Sequence, residues 1–429
     1  MEKIIIRNFG PIDSVELDIK PFMTFIGPQA SGKSTISKSI YFFKSLRNDV
    51  LKYFIEAIEK GNFNKPLGNL GKRIRAKFLS FFGPTAHTDA FYLHYEYGNG
   101  KALSIDLSGK YINPTFNEKF KKEFNNILQH IKTTLPKNFR NSKFLSSSEL
   151  LKIEQEKKNA FNKLEKLINK LFEDDKDLLF IPAGRSLLST LSDQLQYIHP
   201  HKLDYLMQSF IDRINVTKPL FNKSLDELIE DKRFLTNDTI KYGYVNAAKR
   251  VIESILKAKY VNDFNGEKLY VSKDKYVKIN FSSSGQQESI WILNLIFISL
   301  LNNNKLFIVF EEPEAHLYPV AQKEIIDLVA LLFNALQSQI ILTTHSPYIL
   351  SSINNLVYAS TLKEKNINID GIINKKTIID YKKIDAFFVE NGKIKSIIDT
   401  ETHLIQSEAI DSVSEIINDT FNKLFDLDE

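Results

Sequence analysis

Runs of apolar residues at the start of the chain predict three short β-strands. Residues 4–9 form one strand-like run, and residues 15–19 alternate apolar and polar side chains, as a half-exposed strand does. Gly10-Pro11 predicts a turn between them. The apolar residues 23–26 predict a third strand, which leads into a glycine-bounded loop.

Helix and turn signals alternate in the next hundred residues. Residues 36–60 predict a helix, and the glycines and proline of residues 61–71 predict a loop. Two strand-like runs, residues 91–97 and 102–107, flank Gly98-Asn99-Gly100. They predict a β-hairpin, because two apolar runs joined by a short Asn/Gly turn pair in an antiparallel way.

The middle of the chain has a helical pattern. Between about residues 115 and 175, apolar positions recur every three or four residues among many lysines, and Pro136 divides the region. This predicts a short helical hairpin. Residues 178–182 predict a brief buried strand, further helix is expected from about residue 187 to 259, and a second hairpin is expected at residues 269–280.

Two uninterrupted apolar runs mark the last part of the chain. Residues 306–310 and 340–344 are typical of parallel strands that are covered on both faces. Together with the strand at residues 23–26 and the helices between them, these runs predict an α/β fold.

Composition adds limits on compartment and partners. The chain has 429 residues and no cysteine, so disulfides and cysteine-ligated zinc are excluded. No signal peptide is evident, and the most apolar stretch, residues 290–301, is too short to span a bilayer. We therefore expect a soluble, cytoplasmic protein. The net charge of +5 is only weak support for a nucleic-acid partner.

A phosphate-binding loop is the strongest chemical signal in the sequence. Residues 27–34 have the spacing Gly-x-x-x-x-Gly-Lys-Ser between a predicted strand and a predicted helix. Glycines at both ends let backbone N–H groups point at an anion, and the helix N-terminus favours negative charge. In this pattern Lys33 reaches the β- and γ-phosphates and Ser34 ligates Mg²⁺. The residues expected to bind the nucleotide here are Gly27, Pro28, Gln29, Ala30, Ser31, Gly32, Lys33, Ser34 and Thr35.

Acidic residues and a histidine follow the two late apolar strands. Glu311 and Glu312 come directly after the first strand, and His345 follows the second. Because ligands of open α/β sheets bind at the carboxyl ends of strands, we expect Glu311 to hold Mg²⁺ and Glu312 to polarise the attacking water. His345 can donate to the γ-phosphate or to that water.

Two further segments have weaker signals. Ser283, Ser284, Gly285 and Gln286 open a predicted helix, where they form either a small-residue anion platform or an ordinary helix cap. Arg185 follows the strand at residues 178–182. A phosphate or signalling contact and an ordinary loop salt bridge are equally compatible with its position.

The order of these segments resembles the ABC-type ATPase heads of the SMC/RecF/OLD group. Residues 27–34 match the Walker A loop, residues 283–286 resemble the ABC signature, residues 306–312 match Walker B with the catalytic glutamate, and His345 matches the switch histidine. The run Glu-Glu-Pro-Glu-Ala-His from Glu311 is similar to the stand-alone OLD-like ATPases of Septu- and PARIS-type anti-phage systems.

Some positions depart from the pattern of that group, and others extend the match. Gln29-Ala30 stands where Asn-Gly is more usual, and Glu311 replaces the commoner Asp. A Q-loop glutamine cannot be placed. The opening residues Arg7 and Asn8 fit the group, in which this region lies beside the nucleotide.

The resemblance implies a P-loop ABC-type head with a mixed β-sheet core and an inserted helical lobe. The expected divisions are residues 1–110 for the first part of the head, 111–289 for the helical lobe ending in the signature, and 290–429 for the second part with a C-terminal hairpin and helix. It also implies ATP and Mg²⁺ as cofactors. A homodimer or higher homo-oligomer is expected, because the signature of one head closes over the nucleotide of another.

No TOPRIM nuclease is expected in this chain, although OLD proteins carry one after the head. The position of Glu390 is more typical of an Asn-Gly hairpin than of a nuclease carboxylate, and Asp426 and Asp428 lie at the end of the sequence. The favoured function is an ATPase that regulates a separately encoded effector, expected to be a nuclease, in anti-phage defence. The alternative is a DNA-repair or chromosome-handling ATPase that clamps DNA directly. A transporter subunit is a weaker third reading.

Overall fold

The structure is a computed structural model, and it describes residues 2–109, 111–134, 147–185, 203–235, 240–406 and 418–424. These residues form two compact units. The first unit consists of residues 1–19, 35–175 and 391–393, and the second of residues 20–34, 176–390 and 394–429. The units divide the chain at other points than the three expected segments, whose functional separation stays a prediction.

The described strands and longer helices alternate along the chain. The strands are β1 (Glu2–Phe9), β2 (Ile12–Ile19), β3 (Phe22–Ile26), β4 (Tyr92–Glu96), β5 (Ala102–Ser108), β6 (Tyr111–Phe116), β7 (Asp177–Ile181), β8 (Lys259–Asp263), β9 (Gly266–Tyr270), β10 (Tyr276–Lys278), β11 (Leu306–Glu311), β12 (Gln339–Thr344), β13 (Ile384–Glu390) and β14 (Lys393–Ser396). The helices are α1 (Lys33–Lys60), α2 (Pro66–Phe82), α3 (Glu118–Thr134), α4 (Ser147–Phe172), α5 (Tyr205–Thr217), α6 (Leu225–Leu235), α7 (Tyr242–Leu256), α8 (Ser284–Leu301), α9 (Pro319–Leu336) and α10 (Pro347–Glu364).

The first unit is built on a five-stranded antiparallel sheet with the order β2-β1-β4-β5-β6. The predicted hairpin at residues 91–107 is confirmed as the pair β4–β5. Aromatic rings fill the space between this sheet and the helices. For example, the Phe9 ring contacts Phe78 and Phe91 at centroid distances of 5.8 and 4.8 Å.

Helix α2 corrects the sequence reading, which placed a loop at residues 61–71. Pro66 occupies the first turn, where its missing N–H costs nothing. Leu70, Ile74 and Phe78 recur at helical spacing and are buried. The apolar face therefore outweighs the low helix propensity of the glycines at 68 and 71.

The second unit is built on a six-stranded sheet with the order β14-β13-β3-β12-β11-β7. Strands β13, β3, β12, β11 and β7 run parallel to one another. The predicted α/β fold with a mixed sheet core is thus confirmed. Strands β11 and β12 are buried along their whole length, as their uninterrupted apolar sequences predict.

Helices cover this sheet and form one large apolar core. The last residues of α8, from Glu288 to Leu301, are all buried, and α9 and α10 contribute buried faces to the same cluster. A separate three-stranded antiparallel sheet has the order β10-β9-β8. The predicted strand at residues 276–280 ends early, at Lys278, because residues Ile279–Phe281 form a 3-10 turn before α8.

The region expected to be a helical lobe is only partly helical. The predicted helical hairpin corresponds to α3 and α4, while Pro136 lies outside the described residues. Strands β6, β7 and β8–β10 also fall within residues 111–289. Among the helices that the structure describes, none is both long and apolar enough to cross a membrane.

Candidate functional site

The register of the parallel sheet brings several strand ends to one edge. Ile26, the last residue of β3, lies opposite Thr344 at the end of β12. Thr343 pairs in turn with Glu311, the last residue of β11, and Phe310 pairs with Ile181 at the end of β7. The loops that carry the predicted site residues therefore leave the sheet side by side.

The loop after β3 requires glycine at its first position. Gly27 has φ +151°, and a Cβ atom added there would lie 2.1 Å from the carbonyl oxygen of Val389. Gly32 also has a positive φ, of +106°. A side chain at Gly27 would force the loop away from β13, so the glycine permits the tight wrap that a phosphate loop needs.

Lys33 begins α1 and is held over this loop. Its side chain is only 5% exposed, and Nζ donates to the carbonyl oxygens of Gly27 at 2.8 Å and Pro28 at 2.7 Å. An ammonium has three N–H donors, so one is left for a phosphate oxygen. Burial lowers the pKa of Lys33, and the charges of Glu312 and Glu314 oppose that shift.

Glu311 has the properties of a cation ligand. Its side chain is 4% exposed, and Oε2 accepts from the Ala183 N–H at 3.3 Å. Oε1 is buried and has no hydrogen-bond partner among the described residues. Because an unsatisfied buried carboxylate oxygen is costly, this atom fits Mg²⁺, for which oxygen is the preferred ligand. The exposed Ser34 beside Lys33 would supply the other protein ligand.

The described residues contain no cluster of three or more His, Cys, Asp or Glu side chains that would hold a metal ion alone.

Glu312 and His345, the two residues predicted to act on the attacking water, lie next to each other. The Oε1 atom of Glu312 lies 3.5 Å from Nε2 of His345. The hydrogen bond from His345 is the main cause that lowers the pKa of Glu312, and the charges of Arg185 and Lys33 act in the same direction, while burial opposes them. The Glu312 carboxylate is therefore ionised at neutral pH and can accept a hydrogen bond from water.

Glu314 is a further residue at this site, which the sequence analysis did not single out. Its Oε1 atom accepts from the Thr344 hydroxyl and from the His345 backbone N–H, both at 2.7 Å. It thereby ties the loop after β11 to the loop after β12. The sequence signal that could have identified Glu314 is its place as the third glutamate of the run Glu-Glu-Pro-Glu.

The signature-like segment forms a helix cap, which was the structural alternative for it. The Ser283 side chain accepts from the Gln286 N–H, and Gln286 Oε1 accepts from the Ser283 N–H at 3.1 Å. Ser283 and Ser284 are exposed, and a Cβ at Gly285 would lie 2.7 Å from the carbonyl oxygen of His316. The cap therefore packs closely on the loop that follows Glu312.

The remaining predicted nucleotide contacts lie in two places. Pro28, Gln29 and Ala30 are exposed on the phosphate loop, and Ser31 and Gly32 complete it. Arg7, Asn8 and Thr35 belong to the first unit, in which Gly10 lies beside the Thr35 side chain. Contact of these three residues with a nucleotide stays a prediction.

Arg185 does not form the loop salt bridge that was one of its two readings from sequence. It forms no ion pair with a described residue, and its guanidinium donates to backbone carbonyl oxygens instead. Its side chain is 2% exposed. These contacts correct the salt-bridge reading of Arg185, and a phosphate or signalling contact stays a prediction.

Fold and site together define a P-loop nucleotide-binding protein. The sequence profile of the AAA ATPase domain family matches residues 1–350, which is most of the chain. The chain belongs to this AAA ATPase domain family. Among curated proteins, none matches the sequence.

The chain is also similar to several solved structures. An SMC head bound to the C-winged helix domain of ScpA is 13% identical to this chain. The match covers 93% of this chain and 97% of the SMC head, with a TM-score of 0.44. The SMC head domain from Thermotoga maritima is 10% identical to this chain. The match covers 92% of this chain and 97% of that domain, with a TM-score of 0.36.

An ATP-binding cassette, solved as a dimer in a post-hydrolysis state with ADP and Pi, is 11% identical. The match covers 92% of this chain and 97% of that chain, with a TM-score of 0.30. These identities and scores are too low to assign an activity to this chain.

Proposed function

We propose that this chain binds ATP with Mg²⁺ and hydrolyses it at the sheet edge described above. The observation that carries the proposal is the Glu312–His345 pair, at 3.5 Å, on loops that neighbour the phosphate loop of Lys33. An AAA ATPase domain that spans residues 1–350 supports the same activity.

Each residue of the pair and its neighbours has a distinct role in this proposal. The phosphate loop and the remaining Lys33 N–H donor bind the β- and γ-phosphates. Ser34 and Glu311 would hold Mg²⁺, which neutralises charge on the phosphates when bound. The ionised Glu312 carboxylate orients the attacking water, and His345 donates a hydrogen bond to the γ-phosphate or to that water.

The Glu312→Gln variant tests this assignment. The amide keeps the size of the side chain but is a far weaker proton acceptor, so ATP turnover should fall by roughly 100-fold or more while ATP affinity stays within about threefold. Glu401→Gln, on an exposed turn of the same unit, is the control and should hydrolyse ATP as the wild type does. Normal turnover by Glu312→Gln would rule out its proposed role.

We further propose that two copies close around ATP. The exposed Ser283 and Ser284 at the N-terminus of α8 present a hydroxyl-rich surface to which a second molecule's γ-phosphate can bind. The expected state is a C2 dimer, in which each head completes the other's site. ATP should convert the Glu312→Gln variant to a dimer in analytical ultracentrifugation, whereas ADP should leave it unchanged.

The cellular role that we propose is control of a separately encoded effector, a nuclease, in anti-phage defence. The similarity of the Glu311–His316 run to stand-alone OLD-like defence ATPases supports it. Glu390, which an internal nuclease would need on its own sheet, instead ends β13, and β13 pairs with β3 of the ATPase sheet. Asp426 and Asp428 lie outside the described residues.

Two experiments distinguish this role from direct action on DNA. We expect the chain to co-purify with the product of an adjacent nuclease gene. We also expect the Glu312→Gln variant to lose phage protection. Salt-sensitive DNA binding by the purified chain, with DNA-stimulated turnover and no protein partner, would instead favour a DNA-clamping ATPase.

A further inference from the structure

Arg185 is the largest of the fully buried side chains in the described part of the protein. It follows β7, and its guanidinium lies under the loop that leaves β11. Nη1 donates to the carbonyl oxygens of Pro182 and Glu311, both at 2.7 Å, and Nη2 donates to the carbonyl oxygen of Glu312 at 2.9 Å. One side chain thus binds two successive carbonyl groups of the Glu311–Glu312 segment.

The backbone of Glu312 needs such support because it has an unfavourable conformation. Its φ is +46°, in the left-handed region that residues with a Cβ atom rarely adopt. Its N–H donates to the Thr343 carbonyl oxygen at 2.9 Å, so β12 fixes one side of the residue. On the other side, the next residue is Pro313, which has no N–H to donate to neighbouring backbone.

The carbonyl oxygen of Glu312 is held by two donors, the Ala315 N–H at 3.1 Å and the Arg185 guanidinium, and only Arg185 also binds the carbonyl oxygen of Glu311. Strained backbone persists only where surrounding contacts fix it, and such residues cluster at functional sites. Here the strained residue is the one whose carboxylate meets His345 at 3.5 Å. A change in this backbone would move the carboxylate away from the imidazole.

The charge of Arg185 also suits this place. Burial lowers its pKa, and the charges of four glutamates oppose that effect: Glu288, Glu312, Glu314 and Glu311. The guanidinium offers five N–H donors in a rigid planar fork, which a lysine ammonium does not reproduce. Three of its five N–H groups donate to these carbonyl oxygens, the buried Nε has no hydrogen-bond partner among the described residues, and the side chain is only 2% exposed.

We propose that Arg185 is a positioning residue for ATP hydrolysis, because it holds the Glu311 and Glu312 carbonyl groups so that the Glu312 carboxylate faces His345. This inference rests on the proposed ATPase function, and it adds a residue that does not itself touch the nucleotide.

The Arg185→Lys variant tests the inference by separating hydrolysis from binding. Lysine keeps the charge but cannot bind both carbonyl oxygens with a planar fork, so the single-turnover hydrolysis rate should fall by roughly 10- to 100-fold. ATP affinity, measured by calorimetry, should change by less than about threefold, because phosphate contacts are unaltered. If Arg185→Lys does not fold, Arg185→Gln, which keeps two N–H donors, is measured in the same way.

Arg47→Lys is the matched control. Arg47 is also buried and its Nη1 donates to a backbone carbonyl, that of Asp174 at 3.0 Å, within the first unit. This control should lower the melting temperature to an extent similar to Arg185→Lys but leave the hydrolysis rate unchanged. A purely structural role for Arg185 would make the two variants behave alike in both measurements.

A combined variant completes the test. In the Glu312→Gln background, Arg185→Lys should have no further effect on the residual rate, because the carboxylate that it positions is gone. An equal loss in both backgrounds, or a fall in ATP affinity as large as the fall in rate, would overturn the inference. If Glu312→Gln hydrolyses ATP normally, the proposed function itself fails. If it is inactive while Arg185→Lys is normal, only the role of Arg185 fails.

Discussion

Nε2 of His345 and Oε1 of Glu312 lie 3.5 Å apart, on loops that leave the adjacent parallel strands β12 and β11. The Glu314 side chain reinforces this relationship, since its carboxylate accepts from the Thr344 hydroxyl at the end of β12 and from the His345 backbone N–H. The two side chains therefore meet because both of their loops are fixed.

The pH dependence of turnover should report this contact. His345 holds the pKa of Glu312 below its usual range. In His345→Ala that pKa rises, so the ionised fraction of Glu312 at acidic pH falls and the acid limb of the kcat/KM profile moves to higher pH. His345→Gln, which keeps an N–H donor, should shift the limb less. An acid limb at the wild-type position in His345→Ala would contradict the link.

Removal of the Lys33 ammonium should weaken nucleotide binding. A charge-assisted hydrogen bond contributes about 1.5–3 kcal/mol, so Lys33→Ala should raise the Kd for ATP by roughly 10- to 150-fold. Lys60→Ala changes an exposed lysine at the other end of the same helix and serves as the control. Calorimetric titration measures both, and equal affinities would refute the role of Lys33.

Two Gly→Ala substitutions should have opposite effects on stability. At Gly27 the new Cβ would meet the Val389 carbonyl oxygen at 2.1 Å, in a positive-φ conformation, so Gly27→Ala should destabilise the fold by more than about 1 kcal/mol. At Gly71, inside α2, nothing lies within 4 Å of the new Cβ. Gly71→Ala should stabilise by about 0.5–1 kcal/mol.

Urea unfolding of the full chain measures both changes. Nucleotide binding should also be lost in Gly27→Ala and kept in Gly71→Ala. A Gly27→Ala variant with wild-type stability would show that the loop does not have the close approach to β13 described above.

The Ser283 substitutions separate its capping role from its proposed role in the dimer. Ser283→Ala removes the cap and should cost about 1 kcal/mol of stability. Ser283→Asp keeps a good cap, so stability should be retained, but its carboxylate repels the γ-phosphate of a second molecule. Both substitutions remove the Ser283 hydroxyl that is proposed to bind the γ-phosphate, so both should prevent ATP-driven dimerisation in the Glu312→Gln background.

Sedimentation velocity with ATP and with ADP checks this prediction, and thermal melts give the stability. ATP-driven dimers of the Ser283→Asp protein would argue against a phosphate contact at the α8 cap.

Local patterns were sufficient to predict the phosphate loop and the strands around it. The spacing of Gly27, Gly32 and Lys33 identifies the loop without tertiary information. The proximity of Glu312 and His345 also followed, because carboxyl ends of parallel strands meet at one edge. The site therefore depends mainly on a sheet whose strands have strongly apolar sequences.

The sequence analysis missed elements that contain residues of low propensity for their secondary structure. Gly68 and Gly71 suggested a loop, although the apolar face of α2 makes a helix. Strand β6, which contains Pro114, was also missed; it tolerates the proline because it is the edge strand of its sheet.

Contacts that require three-dimensional structure could not be predicted either. Arg185 reaches the carbonyl groups of Glu311 and Glu312, which are far from it in sequence. Backbone carbonyls have no residue-type signature, so a sequence motif does not reveal such a partner.

The most direct test of the central claim is a structure of the Glu312→Gln variant with ATP and Mg²⁺. We expect Lys33 Nζ at the β- and γ-phosphates, Glu311 and Ser34 at the metal ion or its waters, and His345 within hydrogen-bond distance of the γ-phosphate or the attacking water. A triphosphate bound away from Lys33, Glu311 and His345 would contradict the account.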